Sequence, residues 1–163
     1  MTNKLYTDTE DFRIFLSIHF TVEVNEDNLE MYISTDPSAV PGAPGGPVMV
    51  GSDVILTDGT PYYVDCVVRE ATPAPSSITA TLSAGTNPAA VANSWFTDHT
   101  DSNDMSAILT VERYSFTPTF GMHRGETLTC TAGNEANELL NDHNPTTYPA
   151  TVDKVVTLVV HRK

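Results

Sequence analysis

The chain has 163 residues, enough for one domain or slightly more, of which 40% are hydrophobic and 18% charged. Eight Lys+Arg stand against 21 Asp+Glu, a formal net charge of −13, which argues against binding to nucleic acid or docking on an anionic membrane surface. No apolar run approaches the ~20 residues of a membrane span, and the N-terminus lacks the basic start and apolar core of a secretory signal, so Met1 is read as a cytosolic start or as the first residue of a piece of a longer chain.

The dominant periodicity is two. Between residues 12 and 24 every even position is apolar, from Phe12, Ile14 and Leu16 to Val22 and Val24, while the odd positions are mostly polar. The polar cluster Asn25, Glu26, Asp27, Asn28 suits a chain reversal, after which Leu29, Met31 and Ile33 resume the alternation. Residues 12–34 are therefore expected to form a β-hairpin, and residues 1–35 an N-terminal segment that is either an extra edge or the remnant of a preceding domain. Residues 36–46 are mostly Pro, Gly, Ala and Ser, without periodicity, which predicts a linker or a long irregular crossing.

From residue 47 short apolar runs recur between turn-rich separators. Residues 48–56 form a run interrupted by Gly51. Tyr62, Val64, Cys66 and Val68 alternate with more polar neighbours, as do Ile78, Ala80 and Leu82 with threonines. Ala107, Leu109 and Val111 follow, then Leu128, Cys130 and Ala132 among Thr127, Thr129 and Thr131, and a valine-rich run over 152–161. Helical spacing is never sustained for three turns; residues 135–142 suffice for one or two. Many short β-branched strands between Pro/Gly turns predict an all-β, antiparallel β-sandwich.

Cys66 and Cys130 each fall on the apolar face of a predicted strand. On facing strands of opposite sheets they come within disulfide reach, which implies an oxidising compartment; the alternative is two free core thiols. Their spacing fits neither a CxxC redox pair nor a metal site.

Several stretches resemble an immunoglobulin-superfamily domain over residues 47–162. Tyr62-Tyr63-Val64-Asp65-Cys66-Val67-Val68 looks like strand B, and Ala71-Thr72-Pro73-Ala74-Pro75 followed by Ile78 looks like the B–C turn and the start of strand C. Residues 107–111 look like strand E, and Leu128-Thr129-Cys130-Thr131-Ala132-Gly133-Asn134-Glu135-Ala136 like strand F and its exit. The run is most similar to constant-type domains of nectins, nephrin-like adhesion receptors and costimulatory ligands. The resemblance implies an immunoglobulin-like domain over 47–163, on the cell surface or extracellular, in which protein recognition is the activity. Where the family places Trp on strand C this chain has Ala80, and Leu128 stands where Tyr precedes the second Cys. The sole Trp, Trp95, is expected to fold back over the core.

Loops gathered at one end of such a sandwich are where recognition usually resides. The F–G connection, 133–151, carries Glu138, Leu139, Leu140, His143 and Tyr148, which are the candidate partner-binding residues; the alternative is that Leu139 and Leu140 plug the end of the sandwich. Asp98, Asp101 and Asp104 recur at a spacing open to Ca²⁺, but the loop lacks the Gly and terminal Glu of a calcium loop, so a solvated acidic loop is the better reading. The histidines are scattered, and HExxH, GxSxG and phosphate-binding loops are missing from the sequence. No enzyme activity, cofactor or metal is expected. The expected partner is another protein, either a cell-surface receptor or ligand or a second copy of this chain, with no nucleic acid and no membrane insertion. A spacer domain of a multidomain protein and an intracellular scaffold with free thiols are the alternative functions.

Overall fold

The computed structural model describes residues 22–40, 42, 45–99, 107–147 and 149–163. In chain order the elements are β1 (Leu29–Ser34), β2 (Asp53–Thr57), β3 (Tyr62–Ala71), β4 (Ser77–Leu82), β5 (Ala89–Ala90), β6 (Phe96–His99), β7 (Ala107–Phe116), α1 (Phe120–His123), β8 (Thr127–Gly133), α2 (Glu135–His143) and β9 (Val152–His161). One sheet runs β1-β3-β7, with β5 and β6 both pairing the far side of β7; the other runs β2-β9-β8-β4. All pairings are antiparallel except β2 with β9. This is an all-β, immunoglobulin-like sandwich: β1, β3 and β7 occupy the places of strands A, B and E, and β4, β8 and β9 those of C, F and G.

Alternation builds the core. β4 and β8 present Ile78, Ala80 and Leu82, and Leu128, Cys130 and Ala132, to the interior and send serine, threonines and Gly133 outward. They face Leu29, Met31, Val64, Cys66 and Val68 of the other sheet. Cys66 and Cys130, both fully buried, are joined by a disulfide with a Cα–Cα distance of 5.7 Å. Ala80 leaves room on β4, and Tyr114 of β7 crosses the core to it, its hydroxyl donating to the Ile78 carbonyl at 2.5 Å. Trp95 is 39% exposed between β5 and β6, a correction to its expected place over the core.

Burial, with Glu112 adding to it, pushes the Tyr114 phenol up to about 12, from an ordinary value near 10. A raised acid pKa means that the folded state holds the proton more tightly. The stability tied to it is complete below pH ~10 and is lost as pH rises towards 12, by about 2–3 kcal/mol. Urea midpoints measured between pH 9 and 11.5 should fall more steeply for the wild type than for Tyr114→Phe. Parallel curves would remove Tyr114 as the cause.

The start of the sandwich differs from expectation. Val22 exchanges both backbone hydrogen bonds with Thr72 (2.9 and 3.0 Å), Arg69 N–H donates to the Asn28 carbonyl (2.9 Å), and Leu29 pairs with Val68. Residues 22–34 thus travel one way along β3, and the cluster at 25–28 does not reverse the chain. The Asn side chains close a loop-out instead: Asn28 Oδ1 accepts from Asn25 N–H (2.8 Å), Asn25 Oδ1 accepts from Asp27 N–H (2.9 Å), and Asn28 Nδ2 donates to the Glu23 carbonyl (3.0 Å). Residues 12–21 of the expected hairpin lie outside the described residues. β1 is an edge strand of the sandwich, with Leu29 and Met31 fully buried, so the domain starts before residue 47.

The Pro/Gly segment is the irregular crossing rather than a linker. Its described residues lie across the outer face of the first sheet, over a second small cluster of Tyr32, Val67 and Val111. Gly42 N–H donates to Asp65 Oδ2 (2.9 Å), the Gly42 carbonyl accepts from Arg69 Nη2 (3.3 Å), and the Pro37 carbonyl accepts from Arg113 Nη1 (3.3 Å). Gly42 has φ +75°, and a Cβ there would approach Val67 Cγ2 to 3.3 Å, so both conformation and space favour glycine. Beneath it Arg113 and Asp65 form a buried two-bonded ion pair (2.6 and 2.8 Å). After the crossing, Val48 N–H reaches the Met31 carbonyl and Gly51 N–H the Val155 carbonyl, so the chain passes from the first sheet's edge to the second.

Candidate recognition surfaces

β8 ends at Gly133, where an added Cβ would collide with the Ala150 carbonyl, and the chain enters α2 directly. The helix is nine residues long, two and a half turns, slightly more than its sequence promised. Asn134 is the N-cap: its Oδ1 accepts from Asn137 N–H (3.2 Å), and Asn137 Oδ1 accepts from Asn134 N–H (3.1 Å), a reciprocal capping box. Glu135 and Glu138 lie in the first turn, where the helix dipole favours acid.

The same two asparagines pin the incoming chain. Asn137 Oδ1 also accepts from Val24 N–H (2.9 Å), and its Nδ2 donates to the Val24 carbonyl (2.8 Å). Asn134 Nδ2 donates to the carbonyls of Val22 (2.8 Å) and Pro73 (2.7 Å). Both residues are 4% exposed. Asn137→Ala removes the partners of the buried Val24 amide and carbonyl, which should lower unfolding stability by about 2–3 kcal/mol. Chemical denaturation measures it, and a change below about 0.5 kcal/mol would show that water replaces the amide without penalty. Sequence reasoning missed this clasp; its only local sign was the Asn-x-x-Asn spacing straight after a strand-ending Gly.

The candidate partner-binding residues divide along the helix. Ala136 and Asn137 are buried and Leu140 is half-buried. Glu138 and His143 are exposed, and Leu139 is 42% exposed. Tyr148 lies outside the described residues, as do Asp101 and Asp104 of the acidic loop. A cavity of ≈ 300 Å³ lies beside the helix, with Glu23, Glu26, Asn137 and Pro149 in its walls.

The second surface is the outer face of the β2-β9-β8-β4 sheet. The register sets Thr79 beside Thr131, Thr81 beside Thr129, Thr129 beside Val155, Thr127 beside Thr157 and Ile55 beside Val159. Ile55 is 70% exposed. The strands place only two charged residues on this face, Asp53 and Asp153, and Asp153 accepts from the Thr131 hydroxyl (2.6 Å). A face of hydroxyls and aliphatic groups, with acid at its margins and no Lys or Arg among the strand positions that alternate onto it, stands out on a chain of net charge −13. Among the described residues no helix is long and apolar enough to cross a membrane.

Comparison with protein-family models, with curated proteins and with solved structures returns no match to this chain.

Proposed function

We propose that this chain is a non-catalytic recognition domain that binds another protein through the outer face of its β2-β9-β8-β4 sheet, with α2 at the margin of the contact, as part of an extracellular or cell-surface protein. The observation that carries this reading is the depletion of charge on that face. The centres of protein interfaces are poor in charged side chains, because desolvating an unpaired charge opposes association. Threonine hydroxyls keep such a face soluble while leaving methyl groups to pack.

Two further points support the reading. The buried Cys66–Cys130 bridge favours an oxidising compartment and disfavours the free-thiol scaffold. The immunoglobulin-superfamily resemblance of the strand B and strand F segments points to the same class of activity.

Thr129 lies at the middle of the face, between Thr81 and Val155. Thr129→Arg on this solvent-facing position should change stability by less than about 0.5 kcal/mol. It should weaken binding to any cognate ectodomain at least tenfold, read by surface plasmon resonance on an array of cell-surface ectodomains that includes the chain itself. If bound ectodomains keep full affinity for both Thr129→Arg and Glu138→Lys, the assignment of these surfaces is wrong.

A further inference from the structure

Of the described arginines, Arg69 and Arg113 are ion-paired at 2.6 Å with Glu30 and Asp65. Arg124 and Arg162 have no such pair with any described carboxylate, on a chain with 21 acidic residues. Both instead cover the Phe120 ring, with guanidinium carbons 5.2 and 4.6 Å from its centre. The nearby Asp58 carboxylate is engaged by Phe120 N–H (3.1 Å). Phe120, Arg124, Val159, His161 and Arg162 line a cavity of ≈ 320 Å³. A guanidinium lying on an aromatic face keeps its edge N–H groups free, and that edge fits a carboxylate two bonds at a time.

The opposite end of the molecule supplies that chemistry. β9 starts beside α2 and ends at His161, ten residues and about 30 Å away. Around α2 the described residues 22–28 and 134–147 contain Glu23, Glu26, Asp27, Glu135, Glu138 and Asp142 and no Lys or Arg. Exposed Leu139 lies among them, an apolar group sized for the Phe120 and Val159 walls.

We infer that the Arg124–Phe120–Arg162 cavity is a docking site for the acidic α2 end of a second copy of this chain, giving head-to-tail association. Such a contact uses two different patches, so it does not stop at a dimer by symmetry, and copies add head to tail. The docking site shares Val159 with the margin of the threonine face, but its charges, Arg124 and Arg162, lie outside that face's strands, so it stands whether or not the face binds a partner.

The test is sedimentation velocity of the whole chain up to about 300 µM, at about 20 mM and about 500 mM salt. Association is expected at low salt and should be at least tenfold weaker at high salt. Arg124→Glu with Arg162→Glu should be monomeric, and so should Glu138→Lys with Asp142→Lys. An equimolar mixture of the two reversed proteins should associate again, because the reversed cavity of one meets the reversed helix end of the other, and the unreversed cavity meets the unreversed helix end. Circular dichroism checks that both variants are folded, and Thr129→Arg should associate like the wild type. A monomeric wild type at low salt, association that survives either reversal, or a mixture that stays monomeric overturns the proposal. So does binding of a glutamate-rich peptide to the cavity without self-association.

Discussion

Replacing Cys66 and Cys130 together by Ala should cost about 4 kcal/mol of unfolding stability. The bridge closes a loop of 64 residues in sequence separation, and the chain-entropy model assigns a crosslink of that span about this value. For a chain of this length the melting temperature should fall by about 10–15 °C. Both sulfurs lie in the core, so reductant should act slowly on the native protein and fast in denaturant. Urea unfolding with and without reductant, followed by thiol alkylation, measures both effects. A change below about 1 kcal/mol would mean that the unfolded chain without the bridge is already restricted by residual structure.

Asp65→Ala should cost about 3–5 kcal/mol, because it leaves the Arg113 guanidinium buried without its counter-charge. The Asp65 carboxylate holds the Arg113 pKa above its ordinary value, chiefly by hydrogen bonding. It also accepts from Gly42 N–H, so its loss unfastens the crossing over the first sheet's outer face. Hydrogen exchange of the Gly42 amide should accelerate in the variant. Asp65→Ala combined with Arg113→Met removes both charges and should recover most of the loss. A double variant no better than the single one would show that packing around Asp65, not the stranded charge, sets the penalty.

Much of the sandwich was legible because its physics is local. A strand with one buried face writes its alternation into the chain, as in Ile78, Ala80, Leu82 and in Leu128, Cys130, Ala132. The final valine-rich run was located over 152–161, the bounds that β9 takes. The short β5 and β6 were missed because two and four residues carry no readable period. A polar Asn/Asp cluster such as 25–28 closes either a reversal or a loop-out. Which one forms depends on β3, whose Val68 and Thr72 hold the chain on both sides of it.

The candidate surfaces were legible to different degrees. Glu138, Leu139 and His143 were singled out from loop position alone, and the helix does expose them. The twin-asparagine clasp, the Gly42 strap and the pairing of Arg124 with Arg162 over Phe120 join residues far apart in sequence, and no spacing rule announces them.

The sequence by itself determined an acidic, strand-built chain whose two cysteines sit on inward positions, because composition and period-two burial are properties of each segment alone. Tertiary structure decided that β1 belongs to the sandwich, that the Pro/Gly segment covers the first sheet, and that a charge-poor face forms on the second sheet with a cationic cavity at its edge. Those outcomes depend on strand order and register, and register is set by contacts between segments rather than within them.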